Sequence, residues 1–219
     1  MPQNKTPLQD YPDRSVQTTW TISYEAIKEQ DKATANLLLL WSFLDNKNIW
    51  HGLFAAACSA STRVASELSA WFGDISSNEL EFARAMQLLR NYSLVEAVED
   101  VASYTAHPVI HKWAYHYRGQ DFPENLARLA VLSVGWAVPD VSTRDYSTLQ
   151  RRLLPHAEAC LQWVAEKGPG RSSHDYECDL GGDGKEEREV ILGAAAFDAS
   201  TKKEKQQSRA SRRTSLRLI

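Results

Sequence analysis

Cysteine is scarce in this sequence. The three cysteines, Cys58, Cys160 and Cys178, are far apart, and no C-x-x-C pair occurs among them. An odd number at such spacing does not provide a disulfide framework, and the usual signature of a zinc site is missing. The scarcity of cysteine therefore predicts a protein of the reducing cytoplasm without a structural metal.

Long apolar runs are missing as well. The longest, residues 37–41 with Phe43 and Leu44, is far below the roughly 20 residues that cross a bilayer. Residues 1–7 contain no apolar core of the kind that a signal peptide has. The net charge of −3 is close to neutral and does not indicate nucleic acid or an acidic membrane surface as a partner. We expect no membrane contact.

Catalytic and phosphate-binding patterns are also absent. No G-x-x-x-x-G-K-[ST] segment occurs in the sequence. Residues 181–185 are rich in glycine, but no predicted strand precedes them, and Glu186 and Glu187 behind them would repel phosphate. No Ser/His/Asp arrangement is present, and the spacing of His111 and His116 does not make a good metal-binding face. We expect no catalytic residue and no metal site, and thus a protein that is not an enzyme.

Tryptophan and other apolar residues, by contrast, are plentiful. The 219 residues include seven tryptophans and are 43% hydrophobic, which suffices for a substantial core. Apolar side chains recur at helical spacing in five segments, and Asp31 and Asn78 stand where N-caps are expected. The predicted helices start at residue 15, cover 33–44 and 49–58, lie within 59–77, and run from 78 to 91. The helix over 33–44 is apolar on nearly every side and should be central.

A hairpin and one more helix follow. Residues 93–98 and 101–106 are typical of two strands joined by a short turn. Pro108 suits the first position of the next helix, where its missing N–H costs nothing, and His107 lies at the joint. This order of elements, with several helices followed by a two-stranded wing and another helix, is typical of a winged-helix domain. We predict a winged-helix-like regulatory domain over 15–118.

Beyond this domain the pattern changes. Residues 122–166 hold two helical segments, the second capped by Asp145, and Pro155 should kink that segment or divide it in two. Such a pair exposes an apolar face and looks like the opening of a helical repeat array. Residues 168–219 are rich in glycine and charge and are predicted to be a disordered tail. Residues 1–14, with three prolines, are predicted to be an extended lead-in.

Five segments carry a resemblance to a known family. Residues 15–27 are similar to a W-x-I-S-[YF]-x-x-I helix, 85–95 to an L-x-x-x-S-L-[IV] segment, and 106–113 to an M-H-x-L-V-x-x-W segment. Residues 37–43 and the Leu-Leu-Pro-His-Ala within 151–157 complete the set. In this order they resemble NB-ARC proteins, the NLR-like STAND ATPases, of the fungal kind with C-terminal tetratricopeptide repeats. The resemblance concerns the region that follows the family's nucleotide-binding core.

The resemblance implies a regulatory role for His107. In the family the winged-helix domain is a clamp, whose motif histidine contacts the β-phosphate of ADP and holds the closed, inactive state. His107 matches that histidine, whereas Ala106 replaces the motif's Met and Pro108 its Asp. An imidazole N–H beside a helix N-terminus suits a phosphate oxygen. Because the nucleotide-binding core is missing, we expect no cofactor in this chain alone, and ADP or ATP only together with such a domain.

The function expected from the resemblance is that of a non-catalytic regulatory and protein-interaction module of a STAND signalling protein, in a truncated form. Its expected partner is a protein, either the nucleotide-binding domain or a repeat array, and not nucleic acid.

Two alternatives stay open. One is a DNA-binding winged helix to which the basic segment 202–217 adds phosphate contacts, although the candidate recognition helix, 49–58, has almost no basic residue beyond His51. The other is an enzyme that uses the region from His107 to His111 with a bound zinc or iron.

Overall fold

The computed structural model of the protein describes residues 11–98, 102–117, 124–139 and 142–167. The protein is mostly helical in these ranges, with one small two-stranded antiparallel sheet, which confirms the predicted class. In chain order the elements are α1 (Tyr11–Gln30), α2 (Lys32–Trp41), α3 (His51–Ala60), α4 (Thr62–Phe72), a 3-10 helix (Gly73–Ser76), α5 (Glu79–Asn91), β1 (Val95–Val98), β2 (Ser103–Ala106), α6 (Pro108–Tyr117), α7 (Glu124–Trp136) and α8 (Tyr146–Lys167). The turn predicted at 99–100 and the disorder predicted for 168–219 lie outside the described residues.

Helix α1 begins at Tyr11, inside the segment predicted to be an extended lead-in. Pro12 is compatible with this position because the first turn of a helix needs no backbone N–H from it. The rest of the predicted lead-in, residues 1–10, lies outside the described part of the chain. Proline therefore marks the beginning of a helix here, rather than extended backbone.

Side-chain caps begin two of the central helices. Asp31 Oδ1 accepts the N–H of Ala33 at 2.9 Å at the start of α2. At α5, Asn78 Oδ1 accepts the N–H groups of Leu80 at 2.9 Å and of Glu81 at 3.4 Å. Both caps satisfy N–H groups that have no partner inside their helix. The N-caps predicted at Asp31 and Asn78 are confirmed.

The end of α5 forms a Schellman motif with serine in the usual place of glycine. The N–H of Ser93 donates to Arg90 O at 2.8 Å, and the N–H of Leu94 donates to Leu89 O at 3.0 Å. Ser93 has a φ of 57°, the left-handed conformation that only glycine adopts without a steric cost. Leu89 and Leu94 are both buried and provide the apolar contact typical of the motif.

Replacing this serine by glycine is expected to stabilise the protein by about 1 kcal/mol, because the steric cost of a left-handed Cβ disappears. The side chain of Ser93 is exposed, so little packing is lost. Urea unfolding of wild type and Ser93→Gly measures the difference. Ser93→Ala is the control and should be nearly neutral, since alanine bears the same cost. A glycine variant that is less stable than wild type would contradict this account of the turn.

A third strand segment joins the hairpin. Strands β1 and β2 pair over all four residues of each, and Ile49 forms a further antiparallel bridge with Tyr104 of β2. The N–H of Ile49 donates to Tyr104 O at 3.0 Å, and the N–H of Tyr104 donates to Ile49 O at 2.8 Å. Because β2 engages both backbone groups of Ile49, the helix predicted over 49–58 begins only at His51. The segment before α3 thus belongs to the wing.

Helix α2 lies at the centre of the core, as predicted, and its residues 34–41 are all buried. Helix α7 is the second central element: it packs against α2, α3, α4 and α8, and residues 129–134 are buried. Buried residues of α7 and α8 belong to the same apolar cluster as those of α2 to α6. The two predicted units, 15–118 and 122–166, therefore share one core, while the boundary between them stays a prediction.

Helix α8 continues without interruption through Pro155. Of the two predicted outcomes, a division into two helices is therefore wrong, whereas a kink at Pro155 stays a prediction. Leu153 and Leu154 before the proline and Ala157 after it are all buried. Packing on both sides of Pro155 holds the two halves in one helix, although proline removes one backbone hydrogen bond.

Candidate functional site

His107 lies between β2 and α6, at the N-cap position of that ten-residue helix. Its side chain is exposed, and its Nδ1 accepts the N–H of Val109 at 3.3 Å. Its carbonyl oxygen accepts the N–H of His111 at 3.0 Å. Since a backbone N–H always donates, Nδ1 is the acceptor, and the neutral ring carries its proton on Nε2. His107 thereby presents an N–H donor at the start of a helix.

The turn between α2 and α3 holds the backbone that leads to His107. We call it the central turn, and it consists of Asp45, Asn46, Lys47 and Asn48. The N–H of Ala106 donates to Asn46 O at 2.8 Å, and Asn46 Nδ2 donates to Ala106 O at 2.8 Å. Asn46 therefore bonds both backbone groups of the residue directly before His107.

His111 attaches α6 to the end of α2. Its Nε2 lies 3.1 Å from the carbonyl oxygen of Trp41, and Trp41 Nε1 donates to Asp45 O at 2.9 Å. Within the described ranges, no group of three or more His, Cys, Asp or Glu side chains is placed to hold a metal ion. His107 and His111 both form hydrogen bonds with the backbone.

His156 of α8 contacts the central turn from another direction. Its side chain is 0% exposed. Nδ1 accepts the N–H of Asp45 at 3.2 Å, so the neutral ring carries its proton on Nε2, which lies 3.4 Å from Asn48 O and donates to it. Both ring nitrogens are satisfied only in this tautomer of the neutral ring.

Burial lowers the pKa of His156 to about 4, from the ordinary 6.5. The charges of Arg152 and His111 lower it further, whereas the charge of Asp45 and the hydrogen bond to Asn48 act in the opposite direction. His156 belongs to the Leu-Leu-Pro-His-Ala segment but was not among the predicted site residues. Its place on the apolar face of a helix is the signal that could have revealed it, although many histidines at such positions only fill a core.

Trp50 and Arg152 flank this contact. The guanidinium carbon of Arg152 lies 4.3 Å from the centre of the Trp50 indole, a cation–π arrangement. The ring centres of Trp50 and His156 are 6.0 Å apart. Gly52 leaves room for the indole, because a Cβ there would lie 2.8 Å from Trp50 Nε1. Burial lowers the pKa of Arg152. Helix α8 is thus attached to the start of α3 as well as to the central turn.

An aromatic cluster holds the other end of α6 against α1. The ring of Trp113 lies 6.4 Å from that of Trp20 and 5.9 Å from that of Tyr24, and Tyr24 and Tyr117 are 4.8 Å apart. The hydroxyl of Tyr117 donates to the carboxylate of Glu25. Burial and this hydrogen bond raise the pKa of Tyr117 to about 12. Trp113 is therefore buried in the core, and Trp20 packs against it.

No family model, curated protein or solved structure matches the chain. None of the helices in the described ranges combines the length and the apolar character that a membrane crossing requires. The arrangement itself consists of an exposed imidazole N–H at a helix start, backed by a turn that also receives α8. It is suited to binding an anionic oxygen and to transmitting a displacement.

Proposed function

We propose that the chain is a non-catalytic regulatory and protein-interaction module of a STAND-type, NB-ARC-like signalling protein of the cytoplasm. The observation that supports the proposal most is the state of His107. An exposed ring whose Nδ1 is engaged by Val109 N–H leaves Nε2–H as a donor for an outside acceptor. The helix N-terminus beside it adds a favourable field for a phosphate oxygen.

This proposal requires a nucleotide-binding domain as a partner. The other expected partner is a protein that binds a helical repeat array. Ala106 and Pro108, which differ from the family's motif, still leave the histidine at the N-cap. Pro108 occupies the first helical position, where its missing N–H costs nothing. His107 is thus the one residue of this chain that we place in contact with nucleotide.

Titration of Mg-ADP tests the proposal. The chain alone is expected to bind no measurable ADP, because a single neutral donor and a helix terminus do not make a nucleotide site. With an NB-ARC nucleotide-binding domain added in trans, ADP affinity should rise, and His107→Ala should cancel most of that increase, by about tenfold for a lost phosphate hydrogen bond. His116→Ala, on the last turn of the same helix, is the matched control. Equal ADP affinity with wild type and His107→Ala would dispose of the proposal.

A DNA-binding winged helix is the second candidate, and one observation favours it. The helix that leads directly into the hairpin is α5, not the segment 49–58 considered above. Its exposed residues include Arg84, Gln87, Arg90 and Asn91, which are residue types that read base edges. However, Arg84 is paired with Glu81 at 2.5 Å.

An electrophoretic shift with random duplex at low salt separates the two candidates. Retardation that disappears with added salt and with Arg84→Ala plus Arg90→Ala would favour DNA binding. If the protein does not retard the duplex at all, DNA binding is excluded and the regulatory module remains the proposed function.

A further inference from the structure

The central turn is bonded in two directions. Toward α8, Asp45 N–H donates to His156 Nδ1 at 3.2 Å, and His156 Nε2 donates to Asn48 O at 3.4 Å. Toward the wing, Asn46 exchanges two hydrogen bonds of 2.8 Å with Ala106. Four consecutive residues therefore connect α8 with the backbone directly before His107.

Outside contacts hold this turn in addition to its own internal bond. Asn48 has a φ of 58°, in the left-handed region that asparagine tolerates better than most residues with a side chain. Its side-chain Oδ1 accepts the hydroxyl of Ser103 at 3.2 Å, and its carbonyl oxygen accepts from His156. Inside the turn, Asp45 Oδ1 accepts Lys47 N–H at 2.9 Å. The bonds from Ser103 and His156 thus fix the position of the turn relative to the wing and α8.

We infer that His156 is a latch: its docking on the central turn holds the backbone at Ala106 in place, and its release loosens the junction that carries His107. The two bonds made by His156 engage Asp45, directly before Asn46, and Asn48, two residues after it, so they position the peptide that Asn46 presents to Ala106. A displacement of α8 thereby reaches His107 over a short, fully bonded route.

The chemistry of His156 makes the latch releasable. Protonation would place an N–H on Nδ1 opposite the N–H of Asp45, so that two donors would face each other. The groups that face the ring are Arg152 on α8 and His111 on α6, which disfavour the charged ring, and Asp45 on the central turn, which favours it. Acidification and mechanical displacement of α8 therefore break the same contact.

The consequence for nucleotide rests on the proposed function. If His107 contacts a phosphate, an intact latch keeps that contact and a released latch weakens it. Helix α8 would then be the element through which a repeat array, continuing from α7 and α8, affects the nucleotide state.

Amide hydrogen exchange of the full chain, followed by NMR, tests the latch without nucleotide. His156→Leu removes both bonds and should raise exchange at Ala106 N–H about tenfold more than at Asn78 N–H, which donates to Asp74 O within the connection to α5. His156→Asn should restore much of the protection at Ala106, because its side-chain oxygen can accept from Asp45 N–H in place of Nδ1. Leu68→Ala, a core change in α4, is the control for global destabilisation and should raise exchange at both amides alike.

Two results would overturn the latch. One is unchanged exchange at Ala106 in His156→Leu. The other is an equal increase at Ala106 and Asn78 in that variant. Mg-ADP affinity with a nucleotide-binding domain in trans is the separate second measurement. Selective exchange at Ala106 without any effect of His156→Leu on ADP affinity leaves the latch standing and removes its coupling to nucleotide, while the proposed function is decided separately by His107→Ala. Unselective exchange removes the latch whatever the ADP affinity does.

Discussion

Replacing Trp41 by alanine is expected to lower the free energy of unfolding by about 3–5 kcal/mol, the usual cost of removing a large buried aromatic side chain. Trp41 is 1% exposed at the end of α2. Its indole N–H donates to Asp45 O, so the substitution also leaves a carbonyl of the central turn without its donor. Since a domain of this size is stable by only about 5–15 kcal/mol, the variant should lie near the limit of folding.

Urea unfolding followed by circular dichroism measures this effect. Trp41→Phe separates the two contributions, because it keeps most of the apolar volume and loses the indole N–H, and it should cost about 1–3 kcal/mol. Trp71→Ala is the control for removal of a tryptophan, since Trp71 is only partly buried and should cost less. A Trp41→Ala protein as stable as Trp71→Ala would show that the core is not centred on α2.

Local patterns in the sequence were sufficient to place most helices. The caps Asp31 and Asn78 and the first-turn proline Pro108 each act on backbone groups within about four residues of themselves. Their effects are therefore visible in a short window of sequence. A division of the helix at Pro155 was wrongly allowed for, because the effect of this proline depends on what packs around α8, which a window along the chain does not contain. Ile49 was assigned to a helix for the same reason: its partner Tyr104 lies far along the sequence.

The candidate site likewise contains residues whose position the sequence could predict and residues whose contacts it could not. The position of His107 at a helix start could be predicted from the proline that follows it. The turn at residues 45–48 could also be predicted from its composition, but its bonds to His156 could not, because they join residues more than 100 positions apart. The sequence does not show whether a histidine on an apolar helix face has a hydrogen-bond donor within reach of its ring. The contact of α8 with the central turn is therefore visible only in the structure.

Lowering the pH is expected to destabilise the protein by roughly 3 kcal/mol between pH 6.5 and pH 4, and His156 is expected to cause most of this loss. The fold holds the pKa of His156 at about 4, whereas the unfolded chain has the ordinary 6.5. Between these values the unfolded state binds a proton that the native state does not. Stability is therefore fully present above pH 6.5 and decreases as the pH falls toward 4. At about 1.4 kcal/mol per pH unit, the interval gives the stated magnitude.

Glu25 is the other described group that affects acid stability. Its pKa is lowered below 4.5, mainly by the hydrogen bond from Tyr117. A depressed carboxyl pKa adds stability above its ordinary value and loses it as the pH falls below that value. Because 4.5 lies near the lower end of the interval of His156, the two contributions separate along the pH axis. The side chain of Glu25 is also 44% exposed, so solvent screens its interaction.

Urea midpoints measured between about pH 7 and pH 4.5 distinguish the histidine from a general acid effect. His156→Asn should be somewhat less stable than wild type near neutral pH but nearly independent of pH in this interval, because asparagine does not titrate. Leu153→Ala, which shortens a fully buried side chain of the same helix, should lower the midpoint at every pH and keep the slope of the wild type. The two variants thus separate loss of stability from loss of its pH dependence, and an unchanged slope in His156→Asn would assign the acid sensitivity to other groups. If the urea midpoint is independent of pH in His156→Asn but not in Leu153→Ala, the contact between α8 and the central turn is the acid-sensitive element of this fold.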